Sequence, residues 1–541
     1  MPTPREPLPG RLPGTYSRRT ILRGAASAAG ALSLAPLLAA CGGGDDDDAA
    51  STPSTQGSTP GAAAMGGILR LGEKGGAAAT DGLDPHFFSN TPGMTRDTQI
   101  YDNLTTWAPG DIMNLELKLA EEFEPNADGT LWTIRLRPDI TFHHGKDLVA
   151  DDLIFTLQRI WNPDNPGTQA STDVVDAANI RRIDDRTIEV PMTRGYNAFP
   201  YLFTGSLSSL LPTDYDPNDP KGTGPFMLVS FEPGVEAVLE RNPDYWDGVP
   251  NVDQVVINYL ADETAQVNAL VAGQVDAISG LSISSVNAVE SGGQRVRASI
   301  GKNALAFQMN CSMAPFDDPR VRQAMRLIPD REQMRSILFG DLGRVGNDLM
   351  SILDPIYDQD RPQREQDLDQ ARALLAEAGM SDLTVDLPTA PVYEGAEQLA
   401  EIFAEQAREA GVTINLQPTP VDEYRSIAPT SPLSQIRLTS GIYLQASVTR
   451  FTPGAGLNVT NFDDPEYLEL LEQASASVDE EERNGLLQQM MDIDHDRGPY
   501  IIPIMSPTID GYSNDVSGDH NSPATGPYGN YDLKNLAIED E

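Results

Sequence analysis

The sequence predicts an α/β protein of more than one domain. Three observations lead there. At 541 residues the chain is longer than one hydrophobic core organises. Its 40% hydrophobic content is ordinary for a globular protein. Residues 255–260, 264–272 (closed by Gly273) and 275–278 read as strand, helix and strand, the order that packs helices on a sheet.

The chain opens with an address rather than a fold. Arg18 and Arg19 form a twin-arginine pair in Ser-Arg-Arg-Thr-Ile-Leu-Arg, and an apolar, Ala-rich stretch follows over 24–40. Leu38-Ala39-Ala40-Cys41 closes it with small residues, so 1–40 is expected to be a signal peptide. Its cut resembles that of a bacterial lipoprotein, which makes Cys41 the expected lipidated first residue of the mature chain. Residues 41–66 hold Gly-Gly-Gly, four aspartates and Ser/Thr/Pro/Gly without periodicity, the composition of a flexible tether. No second long apolar segment follows, so the rest is expected to be soluble and outside the membrane.

Along the mature chain, 68–71 is a short strand and 131–142 alternates apolar and polar residues as a half-buried strand does. His143-His144-Gly145 turns the chain into a helix at 151–160 with acids in its first turn. Residues 188–190 form a further strand, and 226–231 and 235–240 a hairpin. Asp318 followed by Pro319, Asp330 with Gln333, and Asp367 with Gln370 are helix starts. Ala371, Leu374, Leu375 and Ala378 share one helix face that Gly379 ends, a further helix spans 397–410, and Asp464-Pro465 opens another.

Charge and motifs exclude several functions. The net charge of −42 repels nucleic acid and anionic membrane alike; it is the charge of an acidic protein kept soluble. Two cysteines, Cys41 and Cys311, give no disulfide framework. The five histidines show no metal-ligand spacing, and no nucleophile elbow or phosphate loop occurs, so no catalytic residue, metal or cofactor is expected. Acidic pairs such as Glu121/Glu122 are what chance supplies among 80 acids, not a glycosidase pair.

Several segments in one order resemble the large extracellular solute-binding proteins, family 5, of peptide and nickel ABC importers. They are Asp84-Pro85-His86; 131–161 with Phe142-His-His-Gly145; Gly222-Thr-Gly-Pro-Phe226; Arg241-Asn-Pro-Asp-Tyr-Trp246; 269–276; 310–324; 371–379 and 458–474. The family usually has Asp where His144 stands. The resemblance implies a two-lobed periplasmic-binding-protein fold with a hinge and an additional small α+β domain. Lobe I would comprise 67–103, 215–303 and 505–541, the extra domain 104–214 and lobe II 304–504. It also implies a monomeric, non-enzymatic receptor that closes on a small-molecule ligand and delivers it to ABC permease subunits with a cytoplasmic ATPase. A ligand sensor for a membrane signalling partner would use the same closure.

Peptide binders of this family hold the ligand's ammonium with an Asp shortly after a Gly-Trp pair. The comparable stretch here, Gly441 to Ala446, has no acid. None occurs anywhere over 424–462, which instead holds Arg425, Arg437 and Arg450. A buried ammonium without a carboxylate is strongly disfavoured, whereas a guanidinium favours carboxylate or phosphate. The expected ligand therefore carries an anionic or neutral polar group. Tyr443, Gln445 and Arg450 are its expected contacts from lobe II; Phe88, Asn90, Met94 and Arg96 are those from lobe I.

Overall fold

The computed structural model describes residues 16–17, 66–75, 81–87, 91–108, 111–162, 174–439, 441–522 and 526–539. Arg18, Arg19, Cys41, Phe88 and Asn90, with the expected signal and tether, lie outside the described residues. Among the described residues no helix is long and apolar enough to cross a membrane.

One nine-stranded sheet runs through the molecule. Its labelled elements, and those packed on it, are β1 (Ile68–Lys74), α1 (Thr91–Ile100), β2 (Gln254–Leu260), β3 (Ala277–Ser279), β4 (Arg295–Met309), α2 (Ala396–Glu409), β5 (Leu433–Thr439), α3 (Tyr443–Phe451), α4 (Glu480–Arg497) and β6 (Tyr500–Tyr512). The order is β5-β4-β6-β3-β1-β2, continued by Glu236–Arg241 and Phe226–Glu232; Arg344–Val345 adds to β6. β1 pairs in parallel with β2 and β3, and the helix Glu263–Val271 makes the crossover between them, capped by Asp262, which accepts from the Ala265 amide. Leu69 and Leu71 alternate into one core with Val255, Ile257, Ala237 and Leu239.

The glycines of Gly222-Thr-Gly224 are there for close approach. A Cβ on Gly222 would stand 1.8 Å from the Ile100 carbonyl oxygen, and one on Gly224 2.3 Å from that of Gln99. The turn locks α1 against the strand that begins at Phe226.

A second sheet orders Ala120–Pro125, Leu131–Leu136, Thr187–Pro191 and Arg181–Arg182, with Tyr16–Ser17 on its outer edge. The helix Ala150–Ile160 covers it through Leu153, Leu157 and Ile160. Its Asp152 accepts from the Val149 and Thr213 amides and pairs with Lys146, which fixes the helix start. Phe123 meets Trp132 edge-on at 5.3 Å. This core continues into Tyr443, Tyr467 and Met490, and the Asn197 amide bonds the Ser475 carbonyl, so residues 104–210 also pack on the part of the chain beyond 440.

At the other end of the sheet, α2 and the parallel pair Thr384–Thr389 and Thr413–Pro418 enclose a separate core, where Phe307 stacks on Phe403 at 4.4 Å. The caps expected at Asp318, Asp330, Asp367 and Asp464 each accept a backbone amide. Residues 443–451, to which the sequence analysis assigns no element, form the helix α3. Here β-branched residues are scarce, and the apolar face of Tyr443, Leu444, Ser447, Val448 and Phe451 has helical spacing.

A buried ion cluster ties these helices to β6. Arg326, fully buried, donates to the carbonyls of Asp494 (2.7 Å), His495 (3.1 Å), Tyr500 (2.9 Å) and Asp348 (3.1 Å), closing the C-terminal end of α4 where the helix dipole favours a cation. The Asp348 carboxylate takes Arg331 at 2.6 Å, Arg364 at 2.8 Å and the Ile502 amide at 2.8 Å. Burial alone would raise its pKa; Arg331, Arg326 and Arg364 outweigh burial and hold it below the usual carboxylate range. Asp348→Ala, which strands three guanidiniums, should cost about 3–5 kcal/mol in urea unfolding. Removing the solvent-exposed Asp369, partner of Arg372, should cost less than about 1 kcal/mol.

Candidate functional site

β4 and β6 are the structural axis of the site. Their early and late halves serve different ends of the sheet: Arg295 to Ile300 pair with Tyr512 to Pro507, beside β3, whereas Ala304 and Leu305 pair with Met505 and Ile504, beside β5. Between them the register shifts, four residues along β4 against two along β6. The ladder is interrupted there.

Alternation on β6 puts Ile504, Ser506, Thr508 and Asp510 on one face across this break. Directly paired residues share a face, so Leu305, opposite Ile504, and Arg437, opposite Leu305, stand on it too. On β5 the same face carries Gln435, whose amide donates to the Ala396 carbonyl at the start of α2, and Thr439, which bonds Asn303 at 3.0 Å. Arg437 thus lies between the N-terminal end of α2 and the register break. It is exposed, and no ion pair to it occurs among the described residues. Beside it is Tyr393 in the loop before α2. The next residue, Glu394, reaches into the field of Glu263 and Lys74 at the other end of the sheet; burial and then Glu263 raise its pKa and Lys74 lowers it.

Opposite Arg437 stands an unusual turn. Tyr528, Gly529, Asn530 and Tyr531 all have left-handed backbone, with φ of 53°, 70°, 75° and 63°. Three of them carry a Cβ, a conformation that costs about 1–2 kcal/mol per residue. It is held from both sides: the Tyr528 amide donates to Asp510 at 2.8 Å and Gln99 Nε2 to the Tyr531 carbonyl at 2.9 Å. Burial raises the pKa of Tyr531, Glu73 adds to the rise, Arg437 opposes it, and Asp510 adds again. Tyr531 therefore sits where the Glu73/Asp510 carboxyls of one end of the sheet meet the Arg437 charge of the other. Arg437 acts on Tyr393 in the same way, after burial and Tyr424.

The residues expected from sequence fall elsewhere. Arg96 is fully buried, 3.2 Å from Asp81 and 3.1 Å from Asp97, over the Phe231 ring; it holds α1 to its own lobe and has nothing left for a ligand. Tyr443 is fully buried on the other side of the sheet, its hydroxyl donating to Asp494 at 3.2 Å and accepting from Tyr467 at 3.2 Å. Arg450 is buried at the far end of α3, beside Tyr500, which pairs with Gln308 near the end of β4 most distant from the register break. All three lie away from the crossing: within the acid-free segment, residues 443–451 form a helix that carries Arg450 to its far end. Met94 and Gln445 are half-buried on the first turns of α1 and α3. Sequence reasoning noted Arg437 and did not select it, and Tyr531 gave no signal beyond the Asn-Tyr after a glycine. Cys311 is partly buried, and burial pushes its thiol up to about 11, which disfavours the thiolate at neutral pH. Among the described residues no group of three or more His, Cys, Asp or Glu could hold a metal.

Under the turn lie two buried carboxyls. Glu73 accepts from Thr95 at 2.9 Å and Ser279 at 3.4 Å, and burial pushes it up to about 7; Asp510, on β6, is pushed up to about 8 by burial, with Glu73 adding to the rise. Both native values exceed the unfolded ones, so their stabilising contribution is full below about pH 4 and is lost as pH rises through 7 and 8. The melting temperature should fall between pH 5 and pH 8.5, and Asp510→Asn should flatten that fall. A parallel fall in the variant, by calorimetry, would count against these protonated carboxyls.

The architecture and the sequence both have known counterparts. A profile described as "Bacterial extracellular solute-binding proteins, family 5 Middle" matches residues 114–453, well over half of the chain. Di/tripeptide-binding protein 2 of Pseudomonas aeruginosa is 26% identical over 499 residues, covering 82% of this chain and 91% of that protein. Heme-binding protein A of Haemophilus influenzae is 24% identical over 467 residues, covering 76% and 84%. The solved structure of AgaA from A. tumefaciens R10, in complex with agropinic acid, superimposes with a TM-score of 0.76 at 22% identity, covering 88% of this chain and 99% of that one. The fold is accordingly the two-lobed one of the periplasmic binding proteins. By its profile and its fold, the chain belongs to the bacterial extracellular solute-binding proteins of family 5.

Proposed function

We propose that this protein is an extracytoplasmic receptor of an ABC importer. It captures a small ligand between two lobes, without chemistry on it, and delivers it to permease subunits served by a cytoplasmic ATPase. The observation that carries this reading is the pair of strands β4 and β6, common to both lobes and broken in register between them. A ligand that touches both lobes biases closure about that break, and a permease reads the closed form. The boundaries proposed from it are lobe I at 67–103, 215–303 and 505–541, the extra domain at 104–214 and lobe II at 304–504. Export through the twin arginines Arg18 and Arg19 and lipidation of Cys41 would keep a monomeric receptor at the membrane surface.

Relatives named for peptides and for heme, and one solved with agropinic acid, leave a wide ligand range. In this chain the absence of any acid from Tyr424 to Phe462 favours a ligand with an anionic or neutral polar group over one held by its ammonium.

A thermal-shift screen of the full chain tests the reading, with peptides, amino-acid derivatives, sugars, organic acids and metal chelates. A ligand of the native state should raise the melting temperature by an amount that grows with its concentration, about 2.7 kcal/mol of added stability at 100 times Kd. Carboxylates or sugars are the expected hits. Ordinary di- and oligopeptides as the sole hits would overturn the ligand class while leaving the receptor role, and silence across all classes would count against solute capture.

A further inference from the structure

We propose that the turn Pro527–Tyr531 is a proton-controlled latch: it is fastened over Glu73 and Asp510 while those carboxyls are neutral, and it opens, with the rest of the chain still folded, when they ionise. This goes beyond solute capture and does not depend on it.

The geometry comes from three neighbouring strands. Ser279 on β3 pairs with Asp510 on β6, and its hydroxyl donates to Glu73 on β1 at 3.4 Å. The two acids therefore share one face of the sheet two strands apart, roughly 10 Å by backbone. Both are buried, and among the described residues neither is in an ion pair. Asp510 Oδ2 accepts from the Tyr528 amide at 2.8 Å and lies 3.5 Å from the Tyr512 hydroxyl, but Oδ1 is buried with no donor. Glu73 has one close donor, Thr95 of α1 at 2.9 Å. A buried carboxylate oxygen without a donor or a cation is strongly disfavoured, so both groups are neutral under the closed turn.

The turn is the part of their cover that gives way most readily. On one side the pair is backed by the sheet itself. On the other stands Tyr528, 1% exposed and close enough to feel both carboxyls. It begins the run of four left-handed residues, three of them with a Cβ, so opening relieves strain. The turn is tied down by the Tyr528 amide on Asp510 and by Gln99 on the Tyr531 carbonyl.

The surrounding charges do not offset ionisation of the pair. Asp519 adds to the rise at Asp510 and is itself engaged by Arg295 at 3.2 Å and Arg297 at 2.6 Å. On α1, Arg96 is held by Asp81 and Asp97. Lys74, next to Glu73 in the chain, acts on Glu263 and Glu394, and Arg437 acts on Tyr531. Outside the turn, His520 Nε2 stands 3.9 Å from Asp532. Burial pushes Glu73 up to about 7 and Asp510 up to about 8. Lifting the turn admits water and returns both toward the ordinary carboxylate range. The closed turn is thus fully favoured below about pH 4, and that preference is lost as pH rises through 7 and 8.

Hydrogen–deuterium exchange of the full chain tests the latch, read by mass spectrometry at pH 5, 6.5, 7.5 and 8.5 and corrected for the chemical exchange rate at each pH. The opening constant of peptides covering 526–532 should rise about ten-fold or more from pH 5 to pH 8.5. At every pH it should exceed that of the buried stretch 304–309 of β4 by about ten-fold or more, the mark of opening without unfolding. Glu73→Gln and Asp510→Asn should each reduce the rise, and the double variant, neutral at both positions, should abolish it. His520→Gln should leave it intact. A turn whose corrected exchange is flat with pH would overturn the latch. So would equal constants in the turn and β4, which would mean that the turn opens only when the whole chain unfolds. A rise that survives the double variant, or one that His520→Gln removes, would assign the titration to other groups and overturn it as well. The wild-type readings decide the matter even where a variant fails to fold.

Discussion

Two antiparallel strands shared by both lobes are the constraint on which the rest of this molecule depends. β4 and β6 give their first and last residues to different ends of the same sheet, so neither lobe can be removed without unpairing the other. Separate cores flank the break: Phe307, Leu305 and Ile504 with α2 on one side, Tyr512, Leu69 and Ile257 on the other. At roughly 25 cal/mol per Å2 of apolar surface removed from water, burial in these cores stabilises each side of the interrupted ladder.

Charge is handled in two ways. Over the whole chain the formal net charge is −42, which disfavours binding to nucleic acid. Inside, charge is spent on structure. Asp348 gathers three arginines and thereby fixes the end of α4 to β6, and Arg96 fixes α1 to Asp81 and Asp97. Such clusters are costly to break and add little net stability over apolar packing; what they supply is a fixed position for the elements they join. Arg437 differs from all of these in being exposed and, among the described residues, without an ion pair.

The inserted region complicates the picture of separate domains. Its aromatic core, around Phe123, Trp132 and Phe199, runs into Tyr443 and Tyr467 rather than closing on itself, and Asn197 bonds the Ser475 and Ser477 carbonyls.

Sequence alone determined whatever depends on near neighbours in the chain. Asp caps at 318, 330, 367 and 464 and the strand–helix–strand order of 255–278 are local signals that the structure bears out, and of the strand expected over 131–142 it forms Leu131–Leu136. Ordered motifs extended this to the family and the two-lobed fold. Only the tertiary structure decided which polar residues remain free to act. Arg96, Arg437 and Arg450 look alike in sequence, yet one is consumed by two aspartates, one is carried to the far end of a helix, and one is left open opposite Tyr531. That difference is a matter of partners hundreds of residues apart, Leu305 with Arg437 and Asp510 with Tyr528, and of strand register, in which a shift of one residue moves a side chain to the other face of the sheet.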